Sequence, residues 1–219
     1  MFNNSKYGNV LTVVLIISII AIIGILCIIG YRLYKAYYIK SGALEAATEF
    51  ESAVQQNTIQ NGTDNTTITD IDDPFGNNIS TNSTTTKYKG FDVIGTIQIP
   101  AIELKYPILK VNTKKSLETS VVLMYTSNGL NEVGNTVIIG HNYRNGTMFS
   151  NVDKLKKGEY IYIIDLSGRK IRYTIYDIYR TSGTDSEYIT RNTKGKREIS
   201  LSTCTDDSKA RTIVLARES

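Results

Sequence analysis

The sequence predicts a mainly β protein: a closed antiparallel β-barrel with short helices, carried on one N-terminal transmembrane helix. Three observations lead there. Between Phe91 and Ala216 short β-branched runs recur at even spacing, which suits a barrel. Ahead of them, Val10–Gly30 is apolar and uncharged over the length of a bilayer core. Between the two, composition shifts abruptly to Asn, Thr, Ser, Asp and Gly.

In chain order, residues 1–9 form a short tail and 10–30 the transmembrane helix. The run is longer than the apolar core of a secretory signal, about 7–15 residues, and no small-x-small cleavage site follows it. Tyr31-Arg32-Leu33-Tyr34-Lys35 follows instead, an aromatic and basic interfacial anchor. Lys6 precedes the helix, whereas Arg32, Lys35 and Lys40 follow it. That asymmetry votes for a cytoplasmic C-terminal part, although long domains can cross regardless of flanking charge.

Residues 31–56 carry Ala43, Leu44, Ala46, Ala47, Phe50 and Val54 at roughly helical spacing, a juxtamembrane helical segment. Residues 57–88 are too polar to bury a core and read as a flexible stalk, with an r.m.s. reach of roughly 30 Å. Its Asn-x-Ser/Thr triplets, such as Asn65-Thr66-Thr67, reflect composition. On this reading the domain, residues 89–219, needs nothing before residue 88 to fold.

Within that domain the strands fall at Phe91–Ile99, Glu103–Lys110, Thr136–Gly140, Tyr160–Leu166, Lys170–Tyr179, Glu198–Thr203 and Arg211–Ala216. Ser167-Gly168 marks a hairpin turn. Short helices are predicted at Ser116–Met124 and Thr147–Leu155.

A net charge of +4 with 21% charged residues is too mild for nucleic acid as the main partner. One histidine and two cysteines, one of them in the apolar run, cannot build a His/Cys zinc site. No cofactor and no metal is expected.

Cys204 is therefore the only thiol outside the apolar run, and it ends the β-type run Ser200-Leu201-Ser202-Thr203-Cys204. A rigid strand end facing the loops suits a nucleophile; the alternative is a buried small hydrophobe. His141 follows another β-branched run, Val137-Ile138-Ile139-Gly140, and is either a general acid–base or a plain loop histidine. Arg211 opens the last strand as a fork of donors for an oxyanion or a substrate backbone, or as a surface cation.

Taken together, Ile139-Gly140-His141-Asn142, Leu201-Ser202-Thr203-Cys204 and Arg211 resemble the sortases, membrane-anchored cysteine transpeptidases of Gram-positive bacteria. The resemblance runs from about residue 91 to 219, with Ser200 where the family's TLxTC element has its first threonine. The Cys204–Arg211 segment looks like class B enzymes, whereas the compact interval from His141 to Cys204 is closer to class A or D. The acidic calcium loop of some class A members is absent.

The resemblance implies a sortase-type barrel that cleaves an LPxTG-like sorting peptide at the C-terminus of a surface protein, between Thr and Gly. Cys204 becomes the nucleophile that carries the acyl group as a thioester, and His141 the proton donor and acceptor. Arg211 supports the oxyanion, with Thr203, Thr205 and Asn142 as further substrate or oxyanion supports. The acceptor is an amine of a peptidoglycan precursor or a pilin lysine. The resemblance also places the domain outside the cytoplasm on a single-pass anchor. A free thiol near 8.5 and a free imidazole near 6.5 leave about 3% thiolate and about 25% imidazolium at pH 7, so a small active fraction is expected. A non-catalytic barrel that binds extracytoplasmic peptides and a hydrolytic cysteine peptidase are the competing readings.

Overall fold

The computed structural model describes residues 4–61, 86–205 and 207–219. The chain divides into two compact units, Met1–Ser41 and Gly42–Ser219. A single helix, α1 (Asn4–Asn61), supplies the first unit and opens the second.

In the first unit every large apolar side chain from Val10 to Ile29 is exposed. Among the described residues one helical stretch, within Tyr7–Gln56, is long and apolar enough to cross a membrane. Lipid is the solvent that such a surface matches.

The second unit is built on nine strands: β1 (Lys87–Tyr88), β2 (Phe91–Ile99), β3 (Leu104–Leu109), β4 (Val121–Thr126), β5 (Gly134–Ile139), β6 (Tyr160–Asp165), β7 (Lys170–Ser182), β8 (Arg197–Cys204) and β9 (Ala210–Glu218). They are ordered β1-β2-β3-β4-β5-β8-β9-β7-β6, and β6 pairs back onto β2. Eight strands thus close a barrel with β1 appended to its edge, which leaves the ring no unpaired ladder. The closed, mainly β architecture is the one expected from the sequence. Most neighbours are antiparallel, but β3–β4 and β5–β8 are parallel. Alternate residues of each strand fill the interior, among them Ile97, Ile108, Ile138, Ile163, Tyr173, Leu201 and Val214.

Ser116–Met124 is not one helix. Helix α2 spans only Lys114–Thr119, begun by a reciprocal Thr113–Ser116 cap, and ends where the Ser120 hydroxyl donates to Pro107 O at 2.7 Å. Val121–Thr126 is instead β4, paired with β3 and β5. A short apolar run carries no period long enough to separate helix from strand, and here neighbours on both sides decided. Thr147–Leu155 likewise holds a single 3₁₀ turn, Val152–Lys154, while Met148 bridges to Asn142 and Phe149 N donates to His141 O at 3.1 Å. The predicted hairpin turn is present, with Gly168 at φ +78°.

The N-terminal side of the domain also differs from expectation. Residues 62–85 of the proposed stalk lie outside the described residues. The helix before them, however, belongs to the core. Ala43, Ala46, Ala47, Phe50 and Val54 share one face and are buried. Phe50 and Val54 cluster with Tyr88, Val93, Leu109 and Val122. Glu51 locks the register: Lys105 Nζ reaches one carboxylate oxygen at 2.8 Å and Thr96 Oγ1 donates to the other at 2.9 Å. The compact unit that holds the barrel thus takes in this helix from Gly42 onward.

Phe50→Ala is expected to cost about 3–5 kcal/mol, because it empties a site that is 1% exposed. Chemical denaturation of the full chain in detergent measures the loss. A variant beginning at residue 88 should melt lower than one beginning at Gly42. Equal melting of the two would show that the helix face contributes nothing.

Candidate active site

β5 and β8 run parallel, and their last registered pair is Ile139 with Ser202. Beyond that pair the strand ends are stitched by three hydrogen bonds. Gly140 N donates to Ser202 O at 3.3 Å, and Thr203 Oγ1 to Gly140 O at 2.8 Å. Asn142 Nδ2 donates to Cys204 O at 3.1 Å. His141 therefore sits between two residues that are each bonded to the strand carrying Cys204. On the other side, Cys204 is the registered antiparallel partner of Arg211 in β9. Directly opposed residues present their side chains to one face, with backbones about 5 Å apart. His141, Cys204 and Arg211 thus occupy one row across three adjacent strand ends.

Sequence explains why the row forms there. A Cβ on Gly140 would lie 2.9 Å from Phe149 ring carbons and from Val121 Cγ1, so only glycine lets the buried Phe149 seat beneath this turn. That seat draws the 147–149 segment back over the end of β5. Ser200 is fully buried and donates through Oγ to Asn135 Oδ1 at 3.0 Å. Asn135 Nδ2 in turn holds the carbonyls of Tyr188 and Ile189, in the β7–β8 loop, at 2.9 and 2.8 Å.

Cys204 is half-buried and unpaired in any disulfide. The His141 ring packs against Tyr143 with centroids 4.9 Å apart. Burial holds the His141 imidazole below its ordinary value, while the Glu118 carboxylate opposes that shift. Arg211 Nε donates to Gly183 O at 3.2 Å, in the β7–β8 loop. Its two Nη groups make no hydrogen bond among the described residues. One edge of the guanidinium is thereby anchored, and the other is unbonded among the described residues.

The remaining residues singled out in the sequence are engaged in the scaffold. Thr203 is buried on the strand face opposite Cys204, its hydroxyl used by Gly140 O. Thr205 Oγ1 donates to Asp207 Oδ1 at 2.5 Å and accepts from Ala210 N at 3.1 Å. The Thr205 N–H is itself bonded to Ala210 O at 2.9 Å, which closes the β8–β9 turn. Among the described residues no three His, Cys, Asp or Glu side chains converge as a metal site. Glu118, Asn135 and Gly183 bear on the row yet carry no local motif. Each is brought there from a distant stretch of chain.

A sortase domain family model matches residues 97–219, more than half of the chain. Sortase A of Bacillus anthracis is 33% identical over 113 residues, covering 51% of this chain and 52% of that protein. Sortase A of Streptococcus agalactiae serotype III is 30% identical over 141 residues, covering 62% and 56%. The chain spans about half the length of the curated relatives it matches. Among solved structures, a Clostridium perfringens Sortase D5 transpeptidase shares the fold, with a TM-score of 0.59 at 24% identity over 82% of this chain and 99% of that one. A pilus-related sortase C of Group B Streptococcus matches with a TM-score of 0.52 at 27% identity over 58% and 67%. With the family model, the curated relatives and the barrel in agreement, this protein belongs to the sortase family.

Proposed function

We propose that the protein is a cysteine transpeptidase that cuts an LPxTG-like sorting peptide between Thr and Gly and joins the new acyl end to an amine. The row of His141, Cys204 and Arg211 carries this reading. In the first half, the Cys204 thiolate attacks the Thr carbonyl. The S–C bond forms, the C–N bond to Gly breaks, and imidazolium His141 supplies the proton that leaves with the glycine amine. In the second half, an incoming amine attacks the thioester carbon. Neutral His141 takes its proton, the C–N bond forms and the Cys204 thiolate departs.

The Nη groups of Arg211 stabilise each tetrahedral oxyanion, since Gly183 occupies only Nε. Asn142, Thr203 and Thr205 act by fixing the backbone around Cys204: Asn142 bonds the Cys204 carbonyl, Thr203 the Gly140 carbonyl and Thr205 the Ala210 N–H. The acceptor is a cell-wall or pilin amine; one of the similar structures is described as pilus-related, which supports including the latter.

Incubation of the full chain in detergent with an LPxTG-like peptide and candidate amines, followed by mass spectrometry, tests the reading. The expected product carries the amine on Thr. Hydrolysed peptide alone, with every amine, would indicate a peptidase. Intact peptide throughout would indicate a binding barrel.

The His141 environment adds a pH test. Reaction through thiolate and imidazolium gives a profile whose acid limb follows His141 and whose plateau falls as the imidazole pKa drops. Glu118→Gln removes the charge that opposes the depression. Its kcat/KM profile should show an acid limb moved to lower pH and a lower plateau, more so at low salt. An unchanged or upward-shifted limb would detach Glu118 from the site.

We also assign the catalytic domain to the outside of the cell, on one membrane-spanning helix. The basic residues after that helix vote the other way, and protease added to intact cells decides. Digestion of the domain supports the assignment, and protection until lysis reverses it.

A further inference from the structure

A cavity of about 320 Å³ opens beside β7, β8 and β9, with Tyr176, Arg191, Lys194, Lys196, Glu198 and Arg217 in its wall. Glu198 and Cys204 lie six residues apart on one strand, so this cavity is about 20 Å from the row described above.

Its charges do not balance. Four cations face one carboxylate, Glu198, whose side chain is 6% exposed. That carboxylate is already satisfied: the Tyr176 hydroxyl donates to it at 2.8 Å, and the Arg191 guanidinium pairs with it. Arg191 is otherwise engaged by neutral partners, its Nη1 also donating to the Tyr176 hydroxyl at 2.9 Å. Its Nη2 donates to Asn135 Oδ1 at 3.0 Å and its Nε to Ser200 Oγ at 3.3 Å. The pair cancels, which leaves Lys194, Lys196 and Arg217.

None of those three forms an ion pair among the described residues. Lys194 and Lys196 flank Gly195 in a turn closed by Lys196 N donating to Thr193 O at 3.1 Å, which brings both ammonium stems to the rim. Arg217 is placed differently. Its guanidinium lies 4.1 Å from the Tyr176 ring centroid, stacked on the wall, and its Nε is buried with no hydrogen-bond partner. Buried donors in folded proteins nearly always have an acceptor, so one left over beside uncompensated positive charge marks where an acceptor belongs.

We propose that this cavity is an anion site for a phosphate group, free or as the head of a larger ester. Three unneutralised cations exceed the charge of one carboxylate and suit a dianion. A guanidinium fixed by stacking presents a planar fork that matches phosphate oxygens, with two exposed ammonium groups on flexible stems beside it. The volume exceeds that of a bare phosphate ion and leaves room for an organic substituent on the ester oxygen. The site is independent of the transpeptidase reading.

Calorimetric titration of the full chain in detergent, at constant ionic strength, tests the proposal. Inorganic phosphate, glycerol 3-phosphate and a short-chain phosphatidylglycerol are the probes, with acetate and chloride as controls. Saturable one-site binding of the phosphate probes, at least tenfold tighter than acetate, is expected. Lys194→Gln/Lys196→Gln, both on exposed side chains, should weaken it at least tenfold with the melting curve unchanged. Arg217→Gln should weaken it further; if that variant melts early, the lysine pair still decides. Preference for the lipid over glycerol 3-phosphate would assign the site to a headgroup, and equal binding to soluble phosphate esters. Absent saturation, equal binding of acetate, or undiminished binding by the lysine variant would overturn the proposal.

Discussion

Cys204→Ala is expected to abolish both cleavage and transfer, at every pH and with every amine, while the barrel remains folded. On the proposed mechanism the acyl group has no other carrier, since Cys27 lies in the apolar run of the first unit. The substitution removes one sulfur from a half-buried strand end, and its stability cost should be on the order of 1 kcal/mol. The backbone bonds around Cys204, from Asn142 and Thr203, do not involve the thiol. The measurement pairs product mass spectrometry with a melting curve. In the parent protein, the same spectrometer should trap peptide bound to Cys204. A folded alanine variant that still forms product would remove Cys204 from the mechanism.

Arg211→Lys should lose about a hundredfold to a thousandfold in kcat, although the charge is kept. The structure sharpens the reason. The guanidinium is anchored through Nε to Gly183 O, and on the proposed mechanism its Nη groups hold the oxyanion, two tasks at fixed separation. A lysine ammonium can donate to the loop carbonyl or to the oxyanion, and on a flexible stem it holds neither geometry. Arg172, exposed on β7 and stacked on Tyr160 at 4.8 Å, is the control, and Arg172→Lys should leave kcat unchanged. Small and equal effects at both positions would reduce Arg211 to a surface cation.

Much of this molecule is legible along the chain. The positions of β2, β5 to β7 and β9 follow from β-branched runs, and the apolar helix from its length and lack of charge. His141 and Cys204 stand out because each is rare, His141 just past one β-branched run and Cys204 at the end of another. Where reading failed, the deciding information was elsewhere in the chain. Val121-Val122-Leu123-Met124 has too few residues to show a period, and it became β4 because β3 and β5 offered ladders on both sides. Residues 43–54 have a helical stripe that reads as an isolated amphipathic segment. What that stripe covers, Val93, Leu109 and Val122, lies at least 39 positions away from Val54 and is joined by packing and by the Glu51 contacts to Thr96 and Lys105.

The sequence by itself singled out His141, Cys204 and Arg211 as the candidate residues, and a barrel behind a long apolar helix. Both follow from local causes: side-chain type, apolar length and strand period. Only the tertiary structure decided that three strand ends lie in one row, that Arg211 is anchored by Gly183, and that Thr203 and Thr205 serve the scaffold. It alone shows that positive charge gathers around Tyr176 with its single carboxylate already used. Register and charge balance are sums over residues far apart in sequence, and no window along the chain contains them.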